Sequence, residues 1–100
     1  MKKMENKNLI ILKELVINSL KDEKVKIILF GSRSRRDDYP ASDVDIGIIP
    51  SGQIDKRSIT ILREKIERLN IPYKVDIVNF SEVSPDFKRE ALKDAVVWRN

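Results

Sequence analysis

The stretch LFGSRSRRDDYPASDVDIGI, residues 29–48, decides the fold because it joins the ends of two apolar runs that are typical of buried strands. The first run ends at Gly31 and Ser32, and ten residues later the second begins around Asp43 and Asp45. Side chains alternate between the two faces of a strand, so the two aspartates point the same way. We therefore expect two adjacent carboxylates beside a glycine turn.

The remaining sequence predicts helices alternating with strands. Apolar runs predict strands at residues 25–30, 44–50 and 73–80. Helical periodicity predicts a helix over residues 9–20 with Asn8 as its cap, and a second helix over residues 54–69. A third helix is predicted after Ser84, with an apolar face of Phe87, Ala91, Leu92, Ala95 and Val96. A short helix or turn is expected after Ser32. These elements predict an α/β (α+β) fold in the order α-β-α-β-α-β-α, with a small mixed sheet flanked by helices. We expect one domain over residues 1–100.

Composition excludes several kinds of chemistry. The chain has no cysteine and no histidine, which rules out disulfides, thiolate and imidazole metal sites and histidine-dependent nucleophilic catalysis. Any metal is therefore expected to be a hard cation held by oxygen atoms. The net charge of +4 suits a partner with phosphates or acidic patches, or serves solubility alone. No stretch has the length of a membrane span, so we expect a cytoplasmic protein without membrane contact.

Two apolar features leave their roles open. The first predicted helix has a wide apolar stripe, which fits either a helix wedged against the sheet or contact with a partner, including an isologous homo-oligomer. Val97 and Trp98 near the end of the sequence either help to dock a partner or tuck into the core.

The acidic side chains are the strongest candidates for chemistry. Asp43 and Asp45 repel each other unless a cation lies between them, and a pair of Mg²⁺ ions resolves this repulsion; the alternative is a solvated strand face. Gly47, on the same face, is expected to leave room for a ligand. Asp76 lies in the middle of the third strand, where it becomes a third metal ligand, takes a proton from an attacking hydroxyl, or forms one side of a salt bridge.

The glycine turn is followed by a basic segment. Gly31 and Ser32 offer backbone N–H groups and a hydroxyl to phosphate oxygens, although an ordinary turn with a serine cap has the same sequence. Arg33 and Arg35 in the following segment match phosphate oxygens with two hydrogen bonds each, or form ion pairs with neighbouring aspartates.

Taken together, Gly31-Ser32, Asp43-Val44-Asp45 and the later Asp76 resemble the signature of the DNA polymerase beta-like nucleotidyltransferase superfamily, and the size resembles its antitoxin-type minimal nucleotidyltransferases. The resemblance covers nearly the whole chain and implies transfer of AMP from ATP, or another NTP, to a hydroxyl acceptor. It implies that Asp43, Asp45 and Asp76 are catalytic and bind two Mg²⁺ ions. The nucleotide-binding residues it implies are Gly31, Ser32, Arg33 and Arg35.

The resemblance also implies a partner. Minimal nucleotidyltransferases are often the antitoxins of HEPN-domain ribonuclease toxins, and some adenylylate a tyrosine of the toxin. Two alternatives stay open: an antitoxin that neutralises its toxin by binding alone, and a transferase directed at RNA. A nucleic-acid partner is disfavoured because no aromatic residues are interleaved with the basic ones.

Overall fold

Residues 7–31 and 43–100 are described by a computed structural model. Their helices are α1 (Lys7–Ser19), α2 (Lys56–Glu67) and α3 (Pro85–Leu92), and their strands are β1 (Val25–Phe30), β2 (Val44–Pro50), β3 (Val75–Asn79) and β4 (Val96–Arg99), with a 3-10 turn at Phe80–Glu82. The short helix expected after Ser32 lies outside the described residues. None of the described helices combines the length and the apolarity that crossing a membrane requires.

The four strands form one mixed sheet in the order β3-β2-β1-β4. β1 is antiparallel to both of its neighbours, β2 and β4, whereas β2 and β3 run parallel. The predicted α+β fold with a small mixed sheet is confirmed. β2 therefore lies between the strand that ends at the glycine turn and the strand that bears Asp76.

The main core fills the space between one face of the sheet and the helices α1 and α2. The helices contribute Leu12, Val16, Ile59, Leu62 and Ile66, and Leu20 joins them from the turn after α1. The strands contribute alternate residues, among them Ile27, Val44, Ile46, Ile48 and Ile77. Within each helix the core residues recur every three or four positions, which places them on one side of the helix. α1 is thus packed against the sheet, while Ile10 and Ile11 on its outer side remain exposed.

A smaller core occupies the opposite face of the sheet. It is built on Ile28, Phe30 and Phe80, against which Ala91 of α3 and Ala95, which follows the helix, pack. The helix α3 begins as predicted: Ser84 is its N-cap, its side-chain oxygen accepts a hydrogen bond from the Phe87 backbone N–H at 3.1 Å, and Pro85 follows at the first helical position. This face also bears Asp45, so the small core borders the acidic side chains.

The two ends of the chain correct the predictions. Val96 belongs to β4 and not to a helix, because the last helix stops at Leu92 and the chain returns to pair with β1. Tertiary contacts override the helical spacing here: Trp98 packs partly buried on the main core, and Arg99 Nη1 donates a hydrogen bond to the Leu20 carbonyl at 2.8 Å.

The predicted cap of the first helix is also corrected. Asn8 lies inside α1, which begins at Lys7, so it is not the predicted cap.

Candidate active site

Asp45 is the centre of the candidate site because its strand has a functional neighbour on each side. In the antiparallel pair of β1 and β2, Asp45 lies opposite Phe30, the last residue before the glycine turn. In the parallel pair of β2 and β3 it lies opposite Asp76. Paired residues of neighbouring strands lie about 5 Å apart and point to the same face. The sheet register thus brings Asp45 and Asp76 together, one partly buried and the other exposed.

The glycine turn lies directly against the Asp45 carboxylate. Gly31 has a φ of 80°, a left-handed conformation that glycine adopts without steric cost. A Cβ built on Gly31 would lie 2.5 Å from Asp45 Oδ2, closer than a real side chain tolerates. The structure thereby places the turn and the acidic strand side by side, as the ten-residue connection predicts. Glycine is required at this position both for its backbone conformation and for space.

Negative charge is concentrated around Asp45. Partial burial raises the pKa of the Asp45 carboxyl above its ordinary value, and the neighbouring charges of Asp76 and then Asp43 raise it further. Asp43 is exposed and immediately precedes β2. A carboxylate in this position favours a bound proton or a nearby cation.

Gly47 does not leave the space that the sequence predicts. A Cβ on this residue would lie 2.6 Å from Phe80 Cε1 and 2.9 Å from Ile28 Cγ1. The Phe80 ring fills the volume over Gly47, so the glycine allows the aromatic core to approach the sheet. The expectation of a ligand beside Gly47 is wrong, because strand alternation gives the face of a residue but not what covers it.

Three predicted nucleotide-binding residues, Ser32, Arg33 and Arg35, lie outside the described residues. The structure therefore places four of the predicted site residues, Gly31, Asp43, Asp45 and Asp76, and brings them to one end of the sheet.

Arg63 of α2 is a contributor that the sequence did not reveal. Its Nη2 atom donates a hydrogen bond of 2.8 Å to the carbonyl oxygen of Ile77, the residue after Asp76. It also lines a small pocket together with Asp76 and Glu67. This hydrogen bond links α2 to β3, the edge strand that bears Asp76. An arginine on a polar helix face has no sequence signal that distinguishes this role from ordinary solvation.

A family model for polymerase beta nucleotidyltransferases matches residues 13–99, nearly the whole chain. The chain belongs to this nucleotidyltransferase family. No curated protein matches its sequence. The family assignment agrees with the resemblance carried by the glycine turn and the aspartates.

Solved structures share the fold of this nucleotidyltransferase. A toxin–antitoxin complex with AMP-PNP is 24% identical, covering 86% of this chain and 71% of that one, with a TM-score of 0.65. A tri-AMPylated Shewanella oneidensis HEPN toxin in complex with an MNT antitoxin is 22% identical, covering 88% and 69%, with a TM-score of 0.61. A toxin–antitoxin structure described as MntA-HepT is 19% identical, covering 88% and 69%, with a TM-score of 0.57. At these identities the likeness establishes the fold.

Nucleotidyltransferases generally use divalent metal ions, and the site's chemistry suits them. Carboxylate oxygens are the ligands that Mg²⁺ prefers, and a cation would relieve the repulsion around Asp45. Within residues 7–31 and 43–100, however, no three acidic side chains are already grouped to hold a metal ion. The donor set therefore fits, but its carboxylates would have to turn toward one another on binding.

The raised pKa of Asp45 predicts a pH-dependent stability change in metal-free protein. The folded state keeps the Asp45 proton to a higher pH than the unfolded chain, so this group lowers stability as pH rises above about 4. Asp45→Asn is expected to raise the melting temperature at neutral pH, with the gain disappearing near pH 3. Thermal melts in EDTA across this range measure the effect. Asp22→Asn, in an exposed loop, is the control; a gain that does not vary with pH contradicts the prediction.

Proposed function

We propose that the chain is a Mg²⁺-dependent nucleotidyltransferase that transfers AMP from ATP to a hydroxyl group of a partner protein. The observation that carries the proposal is the position of Asp45, with Asp76 opposite it on one side and Gly31 against its carboxylate on the other. The proposed metal ligands are Asp43, Asp45 and Asp76, and the proposed triphosphate-binding residues are Gly31, Ser32, Arg33 and Arg35. This arrangement supports a reaction between a bound nucleotide and an acceptor that enters beside Asp76.

Residues on the two sides of β2 have different proposed roles, nucleotide binding beside β1 and proton acceptance on β3. Gly31 allows the backbone to approach phosphate oxygens closely, so the nucleotide binds on the β1 side. Asp76 is exposed on the edge strand, where it accepts the proton of the attacking hydroxyl. The acceptor oxygen bonds to the α-phosphorus and the bond to pyrophosphate breaks. Bound Mg²⁺ supplies neutralisation of the phosphate charge.

The acceptor that we propose is a tyrosine of a cognate HEPN-domain toxin, which makes the protein an antitoxin. The support is the shared fold: one neighbour comes from a toxin–antitoxin complex with AMP-PNP, and another from a complex whose HEPN toxin is tri-AMPylated. A small domain has little surface with which to select a large acceptor, so an acceptor held by a bound partner is physically reasonable.

Label transfer tests the proposal directly. The protein is incubated with Mg²⁺, ATP radiolabelled at the α-phosphate, and a candidate HEPN-domain partner protein. Label is expected on the HEPN protein, and ATP labelled at the γ-phosphate is expected to leave none, because pyrophosphate departs. A stable complex without transfer contradicts catalysis and favours an antitoxin that acts by binding. Label on added RNA contradicts a protein acceptor.

A further inference from the structure

A pocket on the β1 side of the candidate site has no role in the chemistry described above. It lies between the end of β1 and α3, has a cavity volume of about 240 Å³ and is open to solvent. Its lining residues are Phe30, Gly31, Phe87, Glu90, Ala91 and Asp94. Because Phe30 pairs with Asp45 across the sheet, the pocket begins about one strand spacing from the acidic site.

One wall of the pocket is aromatic and firmly supported. The rings of Phe30, Phe80 and Phe87 pack edge to face, with centroids 5.3–6.0 Å apart. Phe30 and Phe80 are buried, whereas Phe87 is 43% exposed. A partly exposed ring held by two buried rings offers a preformed surface on which a planar ligand stacks.

The α3 side of the pocket has a small side chain, Ala91, next to a hydrogen-bond acceptor, Glu90. Phe87, Glu90 and Ala91 recur at helical spacing and face the pocket together, and Ala91 leaves space beside the ring. Glu90 Oε2 accepts a hydrogen bond from Lys93 Nζ at 3.1 Å, and Asp94 follows just beyond the helix. The Glu90 carboxylate keeps acceptor capacity for a further N–H or O–H donor.

We propose that this pocket binds the nucleoside part of the nucleotide, with the base stacked on Phe87 and its amino group or a sugar hydroxyl donating to the Glu90 carboxylate. The inference rests on the proposed nucleotidyltransferase function and deepens it. Gly31 lines the pocket and also forms the proposed phosphate turn, so one nucleotide reaches both.

Binding measurements on the full chain test this assignment without relying on transfer. Calorimetry with Mg²⁺ compares ATP with inorganic tripolyphosphate, which has the phosphates but no nucleoside. Phe87→Ala and Ala91→Leu are expected to weaken ATP binding by about tenfold while leaving tripolyphosphate binding unchanged. Lys88→Ala, exposed on the same helix, is the matched control. Thermal melts establish that each variant is folded, and the two variants alter the pocket in opposite ways.

The outcomes separate the inference from the function on which it rests. Unchanged ATP affinity in both folded variants, equal losses for ATP and tripolyphosphate, or equal wild-type affinity for the two ligands overturns the nucleoside pocket and leaves the proposed function standing. Failure of the wild type to bind either ligand overturns both. A comparison of ATP with ITP and 2′-deoxy-ATP then distinguishes the base amino group from the sugar hydroxyl as the donor.

Discussion

Replacing Asp43 and Asp45 together by asparagine is expected to reduce nucleotidyl transfer by more than about 1000-fold while the protein stays folded. Loss of metal-assisted charge neutralisation removes several kcal/mol of transition-state stabilisation, and each 1.4 kcal/mol is about tenfold in rate. The fold tolerates the change because Asp43 is exposed and the substitution removes repulsion around Asp45. Label transfer measures the rate, and a thermal melt reports the fold.

The control for this double substitution is Asp22→Asn, which removes one acidic charge from an exposed loop preceding β1. It is expected to retain wild-type transfer. Substantial transfer by the folded double variant contradicts the assignment of these two residues as metal ligands. Loss of transfer in the Asp22 variant would show that the assay responds to net charge and not to the site.

Gly31→Ala is expected to destabilise the protein by about 1–3 kcal/mol and to reduce transfer by about 100-fold. The φ of 80° is costly for any residue with a Cβ. The added methyl group would also lie 2.5 Å from Asp45 Oδ2, so the carboxylate has to move away. Denaturant unfolding measures the stability change, and label transfer on the remaining folded protein measures the activity.

Gly52→Ala provides the matched control because a Cβ there meets nothing within 4 Å. It is expected to leave transfer unchanged and stability unchanged or slightly increased, since alanine restricts the unfolded chain. Equal effects of the two substitutions would contradict the close contact between the glycine turn and Asp45.

The sequence predicted β1 and β2 to the residue because each is a short apolar run with a clear boundary. β1 stops at Gly31, and β2 lies between the Pro40–Ser42 loop signals and Pro50. The order of the elements also implied that the glycine turn and the aspartates meet. These features are local, and short-range patterns therefore suffice to predict them.

Features that depend on distant parts of the chain escaped sequence reasoning. β4 forms because residues 96–99 pair antiparallel with β1, and helical spacing in the sequence does not predict this pairing. The Phe80 ring over Gly47 and the hydrogen bond from Arg63 to β3 likewise depend on packing between elements. The pocket beside Phe87 arises from the approach of α3 to β1, which no single motif encodes.

Paramagnetic broadening by Mn²⁺ is the most direct test of the central claim that the aspartates hold divalent ions beside the glycine turn. Trace Mn²⁺ is added to isotope-labelled protein with ATP, and amide signals are followed by NMR. The account predicts selective broadening around Gly31, Asp45 and Asp76 that excess Mg²⁺ reverses. Broadening confined to other acidic positions, such as Asp22 or Glu64, or no selective broadening at all, would contradict it.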